Sequence, residues 1–367
     1  MLGHMLTLRK SLSIARAMLL AAAATTPAAA WAAAPYQVFV SNERSGDVSI
    51  IDGNSLKVVG TFPVGKRPRG IHASPDGKTV YVALSGTPIE GPPQLDAAGN
   101  PILKKHEKKD DDDDDSAKAD KSADGIGVVD VARRKLVRRI SAGSDPEEFA
   151  LSRDGSQIYV SNEDTKTASA ISVSSGKVTN IIPVGGEPEG MGVTPDGKEL
   201  YVTCETGGEV FAISTTDYRV VGHLTVPVRP RSVDFLPGSA IAFIPSESYG
   251  KLNVIDTAAH KVLEAIDLPA GSRPMRVRVS RDGNKVYVSD GRAGSVTVLD
   301  AHTYALLTTI KVGKRPWGIV LSPDEKYLFS ANGPSNDVSV VDLASNKEIS
   351  RIKAGESPWG LTIVSRH

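Results

Sequence analysis

The chain has 367 residues with 43 basic and 43 acidic side chains, no formal net charge, and 5% aromatic residues. That balance excludes a global field for nucleic acid or an anionic membrane surface. So few aromatics also disfavour a carbohydrate or single-strand binder that relies on stacking. One cysteine, Cys204, rules out an intramolecular disulfide.

At the N-terminus, Arg9, Lys10 and Arg16 precede an Ala-rich apolar stretch, Ala17 to Ala30, which Thr25, Thr26 and Pro27 interrupt. Ala30-Trp31-Ala32 fits a small-x-small cleavage site, so residues 1–32 are expected to be an export signal removed near Ala32. The stretch is short and carries a proline, which counts against a membrane anchor, and no second apolar run of spanning length follows. A periplasmic, monomeric protein is expected.

From residue 36 onward a proline in a charged loop, usually followed by X-Gly, recurs at Pro68, Pro146, Pro188, Pro230, Pro274, Pro316 and Pro358. The gaps are 42 to 44 residues except the first, which is 78. A period near 42 built from short strands predicts an all-β, seven-bladed β-propeller of four-stranded antiparallel blades over residues 36–367. In the sixth copy Trp317–Ser322, Tyr327–Ser330, Val338–Asp342 and Lys347–Lys353 read as strands, each short, β-branched and bounded by turn residues. The mature chain opens on a second-strand sequence, Tyr36–Val40, and ends on a first-strand sequence, Trp359–Val364. The C-terminal strand is therefore expected to join the N-terminal three and remove the open edge.

Turns such as Ser74-Pro75-Asp76-Gly77 and Thr194-Pro195-Asp196-Gly197 recur between first and second strands, while Leu236-Pro237-Gly238-Ser239 and Glu325 depart locally from the pattern. Asp52, Asp130, Asp256, Asp300 and Asp342 close the third strands and read as turn formers rather than catalysts. The excess in the first gap falls in residues 86–124, where Asp110 to Asp115 are six consecutive aspartates beside a basic run, Lys104 to Lys109. Like charges in a run resist compaction, so a disordered surface insertion is expected.

Phe39-Val40-Ser41-Asn42-Glu43 and Tyr159-Val160-Ser161-Asn162-Glu163 resemble YVTN-type propeller repeats. Gly143 to Leu151, Gly186 to Met191 and Tyr327 to Val338 are similar to the propeller proteins associated with pyrroloquinoline-quinone-dependent catabolism. The resemblance spans the mature chain outside roughly residues 86–124. It implies a periplasmic accessory of quinoprotein alcohol oxidation, with pyrroloquinoline quinone as an associated cofactor and a quinoprotein dehydrogenase as a partner. It carries over no catalytic residue.

In a propeller the proline loops rim the channel. The residues after each proline are Arg69, Glu147, Glu189, Arg231, Met275, Trp317 and Trp359; those before are Arg67, Asp145, Glu187, Arg229, Arg273, Arg315 and Ser357. With Arg276 close by, these form acidic, basic and Trp sectors. A planar anionic ligand would suit them, with Arg forking onto carboxylates and Trp stacking. Alternatively neighbouring Arg and Glu, such as Glu189 with Arg231, neutralise one another and Trp packs between blades. Glu43, Glu163, Glu205 and Glu247 repeat in the loops after the second strands but are expected to lie too far apart to share a metal ion. Cys204 reads as structural, and His72 is the one imidazole expected to face the channel, where a haem could use it.

No Gly-x-Ser-x-Gly, His-Glu-x-x-His or Cys-x-x-Cys motif is present. The features favour a non-catalytic binding or scaffold module acting at the channel mouth. A lactonase-like or tetrapyrrole-handling enzyme, using rim carboxylates with His72, is the alternative. A single-stranded nucleic-acid binder is a second alternative, opposed by neutral charge and few aromatics.

Overall fold

The computed structural model describes residues 35–89 and 119–365. Seven four-stranded antiparallel sheets follow one another around a ring. The first blade takes its innermost strand, Pro358–Ser365, from the C-terminus and its other three, Tyr36–Asn42, Asp47–Asp52 and Lys57–Pro63, from the N-terminus. The one-plus-three closure expected from the sequence is therefore present. Blades 2 to 7 begin near Ile71, Pro146, Gly186, Asp234, Pro274 and Pro316. Blade 5 keeps only Asp234–Phe235 as its regular innermost strand, next to the aberrant Leu236-Pro237-Gly238-Ser239 turn. The topology is unaffected there.

The core is a ring of separate interfaces. Seven apolar clusters are found among the described residues, each joining two neighbouring blades. Phe39, Val48 and Ile50 of blade 1 pack on Ile71, Val80, Val82 and Val129 of blade 2, for example. Second and third strands are buried on both faces because blades cover both. Outermost strands such as Lys177–Pro183 are mostly exposed, with one inward residue, Ile182.

The Val-Ser-Asn string has a physical role in this packing. Ser161 Oγ donates to Glu148 O at 2.8 Å within its blade and lies 3.0 Å from Glu189 O in the next. Ser41 Oγ reaches Arg69 O at 2.5 Å in the same way. The following Asn crosses to the third strand, as Asn42 Nδ2 does to Asp47 Oδ1 (2.7 Å) and Ser49 Oγ (3.0 Å). Where an Asp closes the third strand, as in five of the seven blades, it accepts turn amides, as in Ser55 N to Asp52 Oδ1 at 2.9 Å and Thr303 N to Asp300 Oδ1 at 2.8 Å; the third strands of blades 3 and 4 end in Ser172 and Ser214.

Residues 1–34, including the expected export signal, lie outside the described residues, as do 90–118 of the insertion with its aspartate run. The two ends of the insertion are placed. Residues 86–89 run beside the mouth, and a short 3-10 turn, Lys121–Ala123, re-enters blade 2. Arg67 Nη1 donates to Thr87 O at 3.0 Å, and Lys66 pairs with Asp120 at 2.8 Å, so this segment is rooted on the rim. Among the described residues no helix is long and apolar enough to cross a membrane.

Candidate functional site at the channel mouth

All seven residues preceding the period prolines adopt a left-handed backbone: Arg67 (φ 41°), Asp145 (50°), Glu187 (52°), Arg229 (64°), Arg273 (51°), Arg315 (48°) and Ser357 (53°). None is glycine, although this conformation costs an L-residue roughly 1–2 kcal/mol. The geometry turns the chain from the outer strand of one blade into the innermost strand of the next. It repeats strain at the one place where charged side chains gather.

Those charges interlock instead of standing as open sectors. Arg69, 3% exposed, is held by Asp145 at 2.6 Å and Glu147 at 3.0 Å, with Glu163 at 3.9 Å. Arg231 pairs with Glu189 at 2.7 Å and with Glu205, and Glu247 lies 3.7 Å away. Arg229 bridges Glu205 at 2.8 Å and Glu247 at 3.2 Å, and Arg67 pairs with Glu43 at 3.1 Å. The second-strand glutamates therefore meet the rim arginines. Among the described residues no group of three or more acidic, His or Cys side chains is arranged to hold a metal ion.

Three guanidinium groups, Arg69, Arg229 and Arg231, share six carboxylates. Full ionisation would leave an uncompensated negative charge. The imbalance falls on Glu163 and Glu189. Burial and the adjacent Glu147 carboxylate, to which it hydrogen bonds, push Glu163 well above the ordinary glutamate range, more than Arg69 lowers it. Burial, with Glu147 and Glu247 nearby, likewise pushes Glu189 up against the pull of Arg231 and Arg229. Glu147 and Glu163 flank the same nitrogen, Arg69 Nη1. The Glu163 side chain remains 32% exposed and so faces the mouth.

Across the ring, the Arg315 guanidinium lies 5.6 Å from the centre of the Trp317 ring. Among the described residues it has no carboxylate within ion-pairing distance; Arg229 and Arg231 are its like-charged neighbours. Trp317 is half-buried, leaving a cation–aromatic ledge open to the mouth. Trp359 and Met275 are buried between blades, and Arg273 is half-buried at the rim.

Arg276 does not sit on the rim as its sequence position suggested. It lies two residues inside the mouth and crosses the channel from blade 6 to an ion pair with Glu148 of blade 3, its guanidinium 5.5 Å from the Trp359 ring centre. At this level most blades carry Gly70, Gly190, Gly318 or Gly360, because neighbouring backbones approach too closely for a Cβ. One on Gly318 would meet Trp359 O at 2.6 Å. Glu148, which the sequence reading passed over, is 2% exposed and also binds His72 Nε2 at 2.8 Å. Burial alone would raise its carboxyl, but Arg276 and His72 outweigh that and hold it well below the usual range. The two charged exceptions in a ring of Gly and Ser were the available signal. His72 faces the channel as expected, but beyond this pair, so the structure does not bring it together with the rim carboxylates. Cys204 is fully buried, and burial pushes its thiol up to about 12, so it is unreactive.

Comparison with known proteins agrees with this architecture. Residues 190–355 match the family described as "Lactonase, 7-bladed beta-propeller". Antigen Lp49 of Leptospira interrogans serogroup Icterohaemorrhagiae serovar copenhageni is 30% identical over 138 residues, which is 34% of this chain and 30% of that protein's length. The periplasmic gluconolactonase PpgL of Pseudomonas aeruginosa superposes with a TM-score of 0.67 at 18% identity, covering 90% of this chain and 99% of that one. The dihydro-heme d1 dehydrogenase NirN superposes with a TM-score of 0.61 at 17% identity, covering 89% and 74%. The chain is a seven-bladed β-propeller similar to lactonase-type propellers through its fourth to seventh blades.

Proposed function

We propose that this protein is a propeller hydrolase acting on a small, carboxylate-bearing cyclic ester at the channel mouth, in place of the non-catalytic scaffold that the sequence favoured. The observation that carries this is the Glu147–Glu163 pair on Arg69: two hydrogen-bonded carboxyl groups flanking one guanidinium nitrogen, with Glu163 pushed well above the ordinary glutamate range by burial and partly open to the mouth. Such a pair supplies acid and base from one cluster. Water attacks the ester carbonyl carbon and gives its proton to the Glu147 carboxylate. The ring C–O bond breaks, and Glu163 protonates the departing alkoxide oxygen. The proton then returns from Glu147 to Glu163 along their hydrogen bond, restoring both groups. Arg315 on Trp317 anchors the substrate carboxylate. The lactonase-family match and the gluconolactonase-like fold support this reading. Export to the periplasm belongs to the same proposal.

The test is hydrolysis of glucono-δ-lactone and a panel of γ- and δ-lactones, followed by proton release. The expected result is turnover above the spontaneous rate, with Glu163→Gln lowering kcat by roughly 100-fold or more. Turnover no faster than buffer for every lactone would overturn the proposal. The Arg315–Trp317 ledge equally suits a second reading, capture of a planar polycarboxylate such as pyrroloquinoline quinone for a quinoprotein partner, without turnover. Saturable quinone binding lost in Trp317→Ala, together with no lactone hydrolysis, would establish that reading instead.

A further inference from the structure

The Glu148–Arg276 bridge divides the channel, and beyond it lies a second chamber. Its volume is about 440 Å³, within the range of small-ligand sites. It opens at the end opposite the proline loops, beside the Ser74-Pro75 turn. Phe149, Leu151, Met191, Val193 and Phe235 form apolar walls, and His72, Asp234, Arg278 and Thr362 supply the polar groups.

The polar groups are unequally satisfied. Both Asp234 oxygens are occupied by backbone amides, Phe235 N at 3.0 Å and Val279 N at 2.9 Å. Burial also pushes this carboxyl up despite the nearby Arg278, which weakens its claim on that guanidinium. Arg278 donates only to Val277 O at 3.2 Å among the described residues, and it has no carboxylate within ion-pairing distance. A guanidinium carries five N–H donors, so most of its capacity faces the chamber. Thr362 Oγ1 accepts Ala73 N at 3.1 Å, and its own proton is left to donate. The His72 ring is fixed by Glu148 and lies edge-on to Phe149, with centroids 4.7 Å apart. A half-buried cation with spare donors at one wall, apolar and aromatic surfaces at the others, and no carboxylate paired to it among the described residues form a built site for an amphipathic anion.

We propose that this chamber is a second ligand site, distinct from the mouth, that takes a small carboxylate with an apolar body, its carboxylate on Arg278 and Thr362 and its body against Phe149, Met191 and Phe235. The site is independent of any lactone chemistry at the other end.

Benzoate, and its neutral isostere benzamide, are the probes, titrated into the purified protein by calorimetry and ligand-observed NMR. Benzoate is expected to bind saturably, and benzamide at least 10-fold more weakly. Arg278→Gln should weaken benzoate at least 10-fold with folding intact. Ala73→Leu, which places a larger side chain on the chamber wall, should abolish binding and decides the matter if Arg278→Gln fails to fold. Arg315→Gln, at the mouth, should leave binding unchanged. Equal affinity for the two probes, absence of saturable benzoate binding, survival of binding in Ala73→Leu, or loss in Arg315→Gln would each overturn the proposal.

Discussion

Asp290→Asn should make the protein more stable, with an increment that depends on pH. Asp290 ends the second strand of blade 6 and is 0% exposed. Its Oδ2 accepts from Ser295 Oγ at 2.9 Å and Thr297 Oγ1 at 2.7 Å, while Oδ1 has no hydrogen-bond partner among the described residues. The equivalent residue is Asn42, Asn162 or Asn332 in other blades. There Nδ2 reaches the side chains five and seven residues on, as Asn332 does to Asp337 Oδ1 (2.7 Å) and Ser339 Oγ (2.8 Å). Asn42 and Asn162 also leave Oδ1 without a partner, but in an amide that oxygen is neutral. Hydroxyl groups can rotate from donor to acceptor, so the amide keeps both contacts. What it removes is the cost of ionising a buried acid. Burial pushes the Asp290 carboxyl up to about 6, against about 3.9 in an unfolded chain. The fold holds this proton more tightly than the unfolded chain does. Its contribution is therefore intact below pH ~3.9 and is lost as pH rises through about 6. Two units correspond to about 3 kcal/mol above that range, or roughly a 4 °C rise in Tm for a chain of this length. Urea denaturation of both proteins at acidic and alkaline pH measures the difference, and effects common to both cancel. Equal stability at alkaline pH, or a gap that does not shrink on acidification, would refute the reasoning.

Glu148→Gln should cost about 3–5 kcal/mol near neutral pH, because it leaves Arg276 as a buried charge without its partner. The Glu148 carboxyl is held low, so the loss should narrow only as pH falls below the ordinary glutamate range, and Arg276→Met should recover part of it; denaturant midpoints report both. Glu163→Gln should have the opposite pH signature. Its carboxyl is held high, so wild-type stability falls as pH rises from the ordinary glutamate range through that raised value, and the variant should overtake it in alkaline thermal melts. Ser357→Gly should stabilise by about 0.5–1 kcal/mol in urea titrations, relief of the left-handed backbone outweighing the entropy that glycine adds to the unfolded chain. The Ser357 backbone contacts, N to Asn336 Oδ1 at 2.8 Å and O from Glu43 N at 2.9 Å, survive that change.

The period, the blade composition and the ring closure were all legible because each rests on local information: strand length, turn residues, and which strand sequence stands at each end. The mouth was legible only as an inventory. Arg69, Glu147, Glu189 and Arg231 lie on proline loops of one face, but whether they stand apart as sectors or interlock depends on how far each innermost strand slides past the next, and the period says nothing of that offset. Glu163, Glu205 and Glu247 come from a different loop of each blade, so their convergence on the same arginines is a tertiary fact. The depth of Arg276 and His72 in the channel was hidden for the same reason.

One residue of offset along the innermost strand separates two kinds of chemistry here. Directly after the proline all seven side chains are large; Met275 and Trp359 are buried between blades, while Arg69, Glu147, Glu189, Arg231 and Trp317 gather at the rim, where carboxylates outnumber guanidinium groups and burial pushes Glu163 and Glu189 above the ordinary glutamate range. One position further in, neighbouring backbones exclude most side chains, and Glu148 and Arg276 are the two charged ones that remain, neutralising each other across the axis. That pair gives the channel two ends with different polarity: an acidic, partly protonated mouth suited to proton transfer, and an apolar chamber with a spare guanidinium suited to holding an anion. If the bridge is the partition, Glu148→Gln should let ligands at either end influence the other, whereas in the wild-type protein benzoate should leave lactone turnover unchanged. Inhibition of wild-type turnover by benzoate that persists in Arg278→Gln would place benzoate in the mouth and remove the case for two compartments.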